Sequence, residues 1–150
     1  MKYKYVLLAL SIPALVSAQT CKTTSITAST PNAQYIAQPD GTLKDGETGL
    51  IWSRCSVGQE FETSSNTCSG TPTFFSSWQL ALNEVTHINQ EESLSFPSDW
   101  RMPNIKELGT LVERQCHGPS INLTLFPDTP AQSYYSSTPF NASSLGYSYV

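Results

Sequence analysis

The residues best equipped for chemistry are four cysteines, Cys21, Cys55, Cys68 and Cys116, and two histidines, His87 and His117. Cysteine and histidine together can hold zinc, but there is no CxxC pair here, and His117 beside Cys116 has no second ligand pair to join. An even number of cysteines behind an export signal reads instead as two disulfides. Four cysteines allow three pairings. Cys55 and Cys68 bracket the Ser/Thr/Asn/Gly-rich stretch 56–67, which suits a surface loop closed by its own bridge. That choice leaves Cys21 to Cys116, a long-range staple tying the N-terminal segment to the body. Each bridge would contribute about 2–4 kcal/mol, more for the longer loop.

Other groups suggest catalysis or recognition less directly. His87 and His117 have no recognisable nucleophile partner, and the chain contains neither a GxSxG elbow nor an HExxH element. Glu91 and Glu92 are adjacent, so on regular structure they would not converge on one substrate. The expectation is a protein that is not an enzyme and needs no cofactor. Asp99-Trp100-Arg101 could present an aromatic ring and two charges to a sugar, although Trp100 is more naturally buried and Arg101 paired with a carboxylate. Tyr134, Tyr135, Ser136 and Ser137 could form a second recognition patch, but strand alternation lets only half of them face outward. Gln38-Pro39-Asp40 matches a calcium and galactose tripeptide of true C-type lectins. Alone it cannot supply the ~6–8 oxygens that calcium needs, so Pro-Asp-Gly is read as a turn.

The N-terminus frames these groups. Lys2 and Lys4, an apolar run from Val6 to Val16 and the small-residue site Val16-Ser17-Ala18 have the build of a secretory signal, expected to be cleaved after Ala18. The run is shorter than the roughly 20 residues of a spanning helix, and no second apolar stretch follows, so no membrane insertion of the mature chain is expected. Eight basic and twelve acidic residues give a net charge of −4, which becomes −6 once Lys2 and Lys4 are removed. The remaining cations are scattered. That argues against nucleic acid or anionic lipid as partners, since both are bound by clustered Lys and Arg.

The elements that must position these residues are short. Residues 19–39 have no clear period and are expected to be an extended leader, with the folded domain over 40–150. Asp45-Gly46-Glu47-Thr48-Gly49 is a turn cluster between two short strands, predicting a hairpin with Trp52 in the core. Trp78, Ala81, Leu82, Val85 and Ile88 recur at helical spacing behind the N-cap Ser77. A second helix begins at Asn104, which with Glu107 forms a capping box, and Ile105, Leu108, Leu111 and Val112 supply its apolar face before Cys116-His117-Gly118-Pro119 ends it. Tyr134-Tyr135 and residues 147–150 read as strands. Strands at both ends with helices between them predict an α+β fold.

The ordered series DGTLKDGETGLIWSRC, SWQLAL, DWRMPNIKEL, PSINLTLFP and YYSSTPF resembles the bacterial Lcl C-terminal domain family, named for the collagen-like adhesin of Legionella, over roughly residues 40–150. The resemblance implies a C-type-lectin-like α+β fold, related to that of the formylglycine-generating enzymes: a small twisted antiparallel sheet with two helices, here disulfide-stapled. The late copper-binding cysteine pair of those enzymes has no counterpart in this chain. The resemblance also implies an exported protein, periplasmic, surface-bound or extracellular, that adheres to a glycan or surface protein. In one branch the ligand is a sulfated glycan, which the scattered cations here do not favour. Family members usually continue through a further strand or two, whereas Val150 closely follows Tyr147-Ser148-Tyr149. An unpaired sheet edge is therefore expected, with a homo-oligomer or a pilus-like assembly as the means of covering it.

Overall fold

The computed structural model describes residues 18–90 and 99–139, together with the backbone of 148–149. In chain order the elements are β1 (Thr20–Cys21), a 3-10 turn (Asn32–Gln34), β2 (Tyr35–Ala37), β3 (Thr42–Asp45), β4 (Ile51–Ser53), β5 (Gln59–Glu62), β6 (Thr67–Gly70), α1 (Trp78–Gln90), α2 (Ile105–Gly109), β7 (Cys116–His117), β8 (Ser133–Tyr134) and β9 (Ser148–Tyr149). The architecture is α+β, with the strands among the described residues in four small antiparallel sheets rather than one: β2-β3-β4, β5-β6, β1-β7 and β8-β9. The signal segment and Glu91-Glu92 lie outside the described residues.

The three-stranded sheet is built by two turns visible in the sequence. Between β2 and β3, Gly41 N–H donates to Gln38 O and Gly41 adopts φ 81°, while the Asp40 carboxylate accepts from the Thr42 N–H and hydroxyl. Glycine tolerates that left-handed conformation without a Cβ clash. Pro-Asp-Gly is thus a turn, and Asp40 is committed to it. Between β3 and β4 the buried Asp45 carboxylate organises the reversal, accepting from Gln34 Nε2, Glu47 N–H and the Thr48 hydroxyl at 2.9, 2.9 and 2.6 Å. Burial raises the Asp45 pKa, but the hydrogen bonds from Thr48, Gln34 and the turn backbone outweigh it and hold the carboxyl below its usual value.

Alternation along these strands sets the core. Tyr35, Leu43 and Trp52 face inward, whereas Ile36, Lys44 and Ile51 lie side by side on the outward face. The core cluster joins Tyr35 and Leu43 to Leu108, Leu111, Ile121, Leu125 and Phe126, with Trp52 and Tyr134 packed on its margin. Tyr35 meets Phe126 edge to face at 5.9 Å. Burying side chains of this size stabilises by roughly 1.5–3 kcal/mol each.

Several expectations need correction. The segment 19–39 is not merely an extended leader, because β1 pairs with β7, β2 pairs with β3 and Tyr35 belongs to the core. Its strands are too short to show a period in sequence. The stretch 56–67 contributes most of a β-hairpin, β5-β6, rather than an irregular loop, and its tight reversal uses Asn66 at φ 54°. Arg54 clamps this hairpin to the body: its ring partner Phe61 lies 4.0 Å away, and it donates to Asn66 Oδ1 and to the carbonyls of Leu125 and Thr124. Trp52 is only half-buried. The second helix has its capping box, but it is five residues long and closes at Thr110, whose N–H and hydroxyl both reach back to Glu107 O. Leu108 and Leu111 still reach the core, whereas Ile105 is exposed.

Candidate recognition surfaces

The four residues expected to meet a ligand are held by different elements. Tyr134 turns toward the β4–β5 connection, its hydroxyl 3.1 Å from Ser56 Oγ, and burial raises its pKa against the opposing effect of that hydrogen bond. Tyr135 turns elsewhere, donating to Phe75 O at 3.3 Å, just ahead of α1. Ser136 is buried, and its carbonyl accepts from Trp78 Nε1 at 2.8 Å. The backbone of Trp100 is gripped by the side chain of Asn89, which accepts from its N–H at 2.9 Å and donates to its carbonyl at 2.7 Å. The Trp100 ring is half-buried.

Arg101 completes the α2 cap. Its guanidinium donates to both Glu107 carboxylate oxygens at 2.7 Å, and Glu107 also accepts from the Asn104 N–H. The hydrogen bonds from Arg101 and then from the Asn104 backbone pull the Glu107 carboxyl down to about 2. Trp100 is therefore anchored near the C-terminal end of α1 and Tyr135 beside its N-terminal end, roughly 16 Å apart along the axis at ~1.5 Å per residue. The structure does not gather Trp100, Arg101, Tyr134 and Tyr135 into one site.

A different group of side chains does converge. Disulfide Cys21–Cys116, with a Cα separation of 4.1 Å, and the hydrogen bond from Lys22 N–H to Gln115 O fasten the leader across the segment after α2. The second bridge is Cys55–Cys68, so both expected pairings form. Beside the first lies an open groove of about 420 Å³ whose lining includes Gln19, Asn32, Gln115, Asn122, Leu123 and Thr124. Its base is fixed by Glu113, only 3% exposed. The Glu113 carboxylate accepts from the Ser29 N–H and hydroxyl, the Thr30 N–H and hydroxyl, and the Gln115 N–H. Burial opposes its charge, but these donors, led by the backbone of Gln115 and Thr30, lower its pKa to about 2.

The amides of the groove are also anchored. Gln19 Nε2 donates to Pro119 O and Ile121 O at 2.8 and 2.6 Å, and Asn122 Nδ2 donates to Thr30 O and Asn32 Oδ1, both at 2.8 Å. Gln115 Nε2 donates to Ile26 O. Sequence reasoning passed over all of these residues, because their partners lie between 89 and 102 positions away along the chain. The one available signal was the disulfide itself, since pairing Cys21 with Cys116 forces Gln19 and Gln115 to the same place.

His87 and His117 are both exposed, the latter on β7. Among the described residues, no three His, Cys, Asp or Glu side chains come together as a metal site, and no helix is long and apolar enough to cross a membrane.

A family model described as the Lcl C-terminal domain matches residues 41–150. The match takes in the body wall of the groove, Glu113 to Thr124, and excludes the leader wall, Gln19 to Asn32. No curated protein and no solved structure matches the chain.

Proposed function

Because the chain belongs to the Lcl C-terminal domain family, we propose that it is an exported, non-enzymatic recognition domain that binds a glycan or a surface protein on a C-type-lectin-like scaffold. The observation that carries this reading is the match of an adhesin-related domain to residues 41–150, almost all of the described body. Two disulfides with no free cysteine support export, since such bridges persist in oxidising compartments. Fold alone does not assign a ligand. The net charge of −4 and the scattered cations weigh against polyanions and toward neutral glycans or a protein.

A glycan array probed with the oxidised protein at physiological salt, with light scattering run in parallel, tests the proposal. Saturable binding to one glycan class by a protein of constant mass is the expected result. A blank array with a mass that rises with concentration would move the assignment to a second reading, a structural subunit of a surface or pilus assembly. The observation favouring that alternative is on the main sheet. Strands β2 and β4 are its two edges among the described residues, and each carries an isoleucine, Ile36 and Ile51, that is 56% exposed. Exposed apolar edges are templates for pairing with another chain.

A further inference from the structure

We propose that the groove between the leader and the 113–124 segment is a saccharide subsite, completed by residues outside the family domain and selective for neutral, hydroxyl-rich sugars. The inference rests on the recognition reading above and specifies where, and for what chemistry, that recognition occurs.

The polar groups of the lining keep part of their hydrogen-bonding capacity. Gln19 commits both amide hydrogens to the carbonyls of Pro119 and Ile121, which leaves its Oε1 without a partner among the described residues. Gln115 is likewise held through Nε2 by Ile26 O, leaving its Oε1. In Asn32 the oxygen is used, accepting from Asn122, and the Nδ2 donor is left. The Thr124 N–H is bound by Asn122 Oδ1, while its hydroxyl has no partner among the described residues. Two amide oxygens, one amide nitrogen and one hydroxyl are thus available, and the three amides have been oriented by their other halves. Orientation in advance lowers the entropy lost on binding. Sugar hydroxyls both donate and accept, so such a mixed set suits them.

The rest of the lining sets the ligand's charge. Among the described residues no Lys or Arg lines the groove, and the one carboxylate there, Glu113, is already saturated by five hydrogen bonds. A sulfated chain would find no Lys or Arg side chain here, only the α-ammonium that cleavage after Ala18 would leave on Gln19. Ala28, Pro31 and Leu123 provide apolar surface for the C–H faces of a sugar ring. At about 420 Å³ the groove falls within the ~300–1,000 Å³ of small-ligand sites.

The leader supplies Gln19, Ala28 and Asn32, and the family domain supplies Gln115 and Thr124. Neither wall alone holds the full set, and the Cys21–Cys116 bridge keeps them in register.

The test is titration of the oxidised, isotopically labelled protein with lactose, maltotriose and chitotriose, and separately with a heparin tetrasaccharide. Side-chain NH₂ signals of Gln19, Asn32, Gln115 and Asn122 are followed by NMR. At least one neutral sugar is expected to shift the Asn32 and Gln115 signals saturably, and the heparin fragment to leave them in place. Ala28→Trp, which fills the groove from an irregular segment, should weaken that sugar at least tenfold. Thr124→Ala removes only the available hydroxyl and should weaken it about three- to tenfold, in line with one hydrogen bond. A positive array combined with shifts confined to the α1 and β8 region would overturn this inference and leave the recognition reading standing. Tighter binding of the heparin fragment at the same amides would overturn the ligand chemistry. Absence of shifts with every sugar would overturn the subsite, and together with a blank array would overturn the glycan reading as well.

Discussion

Glu113 is a buried carboxylate with no cationic partner among the described residues, so its charge is maintained by neutral donors, which makes the fold sensitive to acid in a calculable way. Its pKa falls from an ordinary 4.5 to about 2 in the folded protein. At about 1.4 kcal/mol per unit, the ionised form contributes roughly 3 kcal/mol above the unfolded value. Because the unfolded chain binds the proton more readily, stability must fall with pH, beginning near 4.5 and ending near 2. About 2 kcal/mol of the contribution is lost by pH 3.

Replacing the residue isolates the effect. Glu113→Gln keeps one acceptor oxygen but turns an NH₂ group toward either the Thr30 donors or those of Ser29 and Gln115, leaving buried N–H groups facing another donor. The expected cost at pH 7 is about 2–4 kcal/mol. Urea unfolding followed by fluorescence of Trp52, Trp78 and Trp100 at pH 7, 5, 4 and 3 gives the stability of each protein. The gap between wild type and variant should be widest at pH 7 and narrower by about 2 kcal/mol at pH 3. Other carboxylates titrate in both proteins and cancel. A gap that does not change with pH would refute the claim that Glu113 is held ionised by its donors.

Four further outcomes are expected. Tyr35→Phe should be neutral or stabilising by up to about 1 kcal/mol in the same assay, because the hydroxyl is buried without a partner among the described residues and pushed to about 12 by burial and by Asp45, Glu47 and Glu113. Asn104→Ala should cost about 1 kcal/mol through loss of the α2 capping box, measured by thermal melting. Gly46→Ala should cost about 1–3 kcal/mol, since its Cβ would sit 2.9 Å from the Gln34 carbonyl oxygen, and the loss should appear as a lower urea midpoint with an unchanged slope. Replacing both Cys21 and Cys116 by Ser should destabilise more than replacing Cys55 and Cys68, by about 1–2 kcal/mol, because the loops span 95 and 13 positions; the test is paired urea titrations.

Local chemistry was legible in the sequence wherever a few neighbouring residues decide the outcome. Ser77 caps α1 through the Leu80 N–H, and Asn104 and Glu107 form their reciprocal box. Gly41, Gly49 and Asp45 build the expected turns, and the disulfide pairing favoured by loop composition is the one formed. Tertiary packing decided the rest. Tyr35 lies in a strand of three residues, too short for alternation to register, and the strands QEFE and TCSG of the β5-β6 hairpin carry almost no apolar signal. The groove was illegible for a different reason. Gln, Asn and Thr at positions 19, 32, 115 and 124 look like ordinary surface residues until the fold shows that half of each amide is already occupied. The aromatic residues that attracted attention, Trp100 and Tyr135, proved to be separated by the length of a helix.

The staple between Cys21 and Cys116 also decides how the protein would carry mechanical load. A pull on the chain ahead of Cys21 passes through the sulfur bridge directly to residue 116, bypassing the 94 residues between them. The three-stranded sheet, the β5-β6 hairpin and both helices hang as an unloaded loop on this covalent shortcut. Tension between a point ahead of Cys21 and a grip beyond β7 would thus spare the elements between the two cysteines and fall on the segment after residue 117, whose Ile121, Leu125 and Phe126 are set in the core. In a reducing medium the same pull would instead peel β1 from β7, two residue pairs in all, and then run on into β2 and the core.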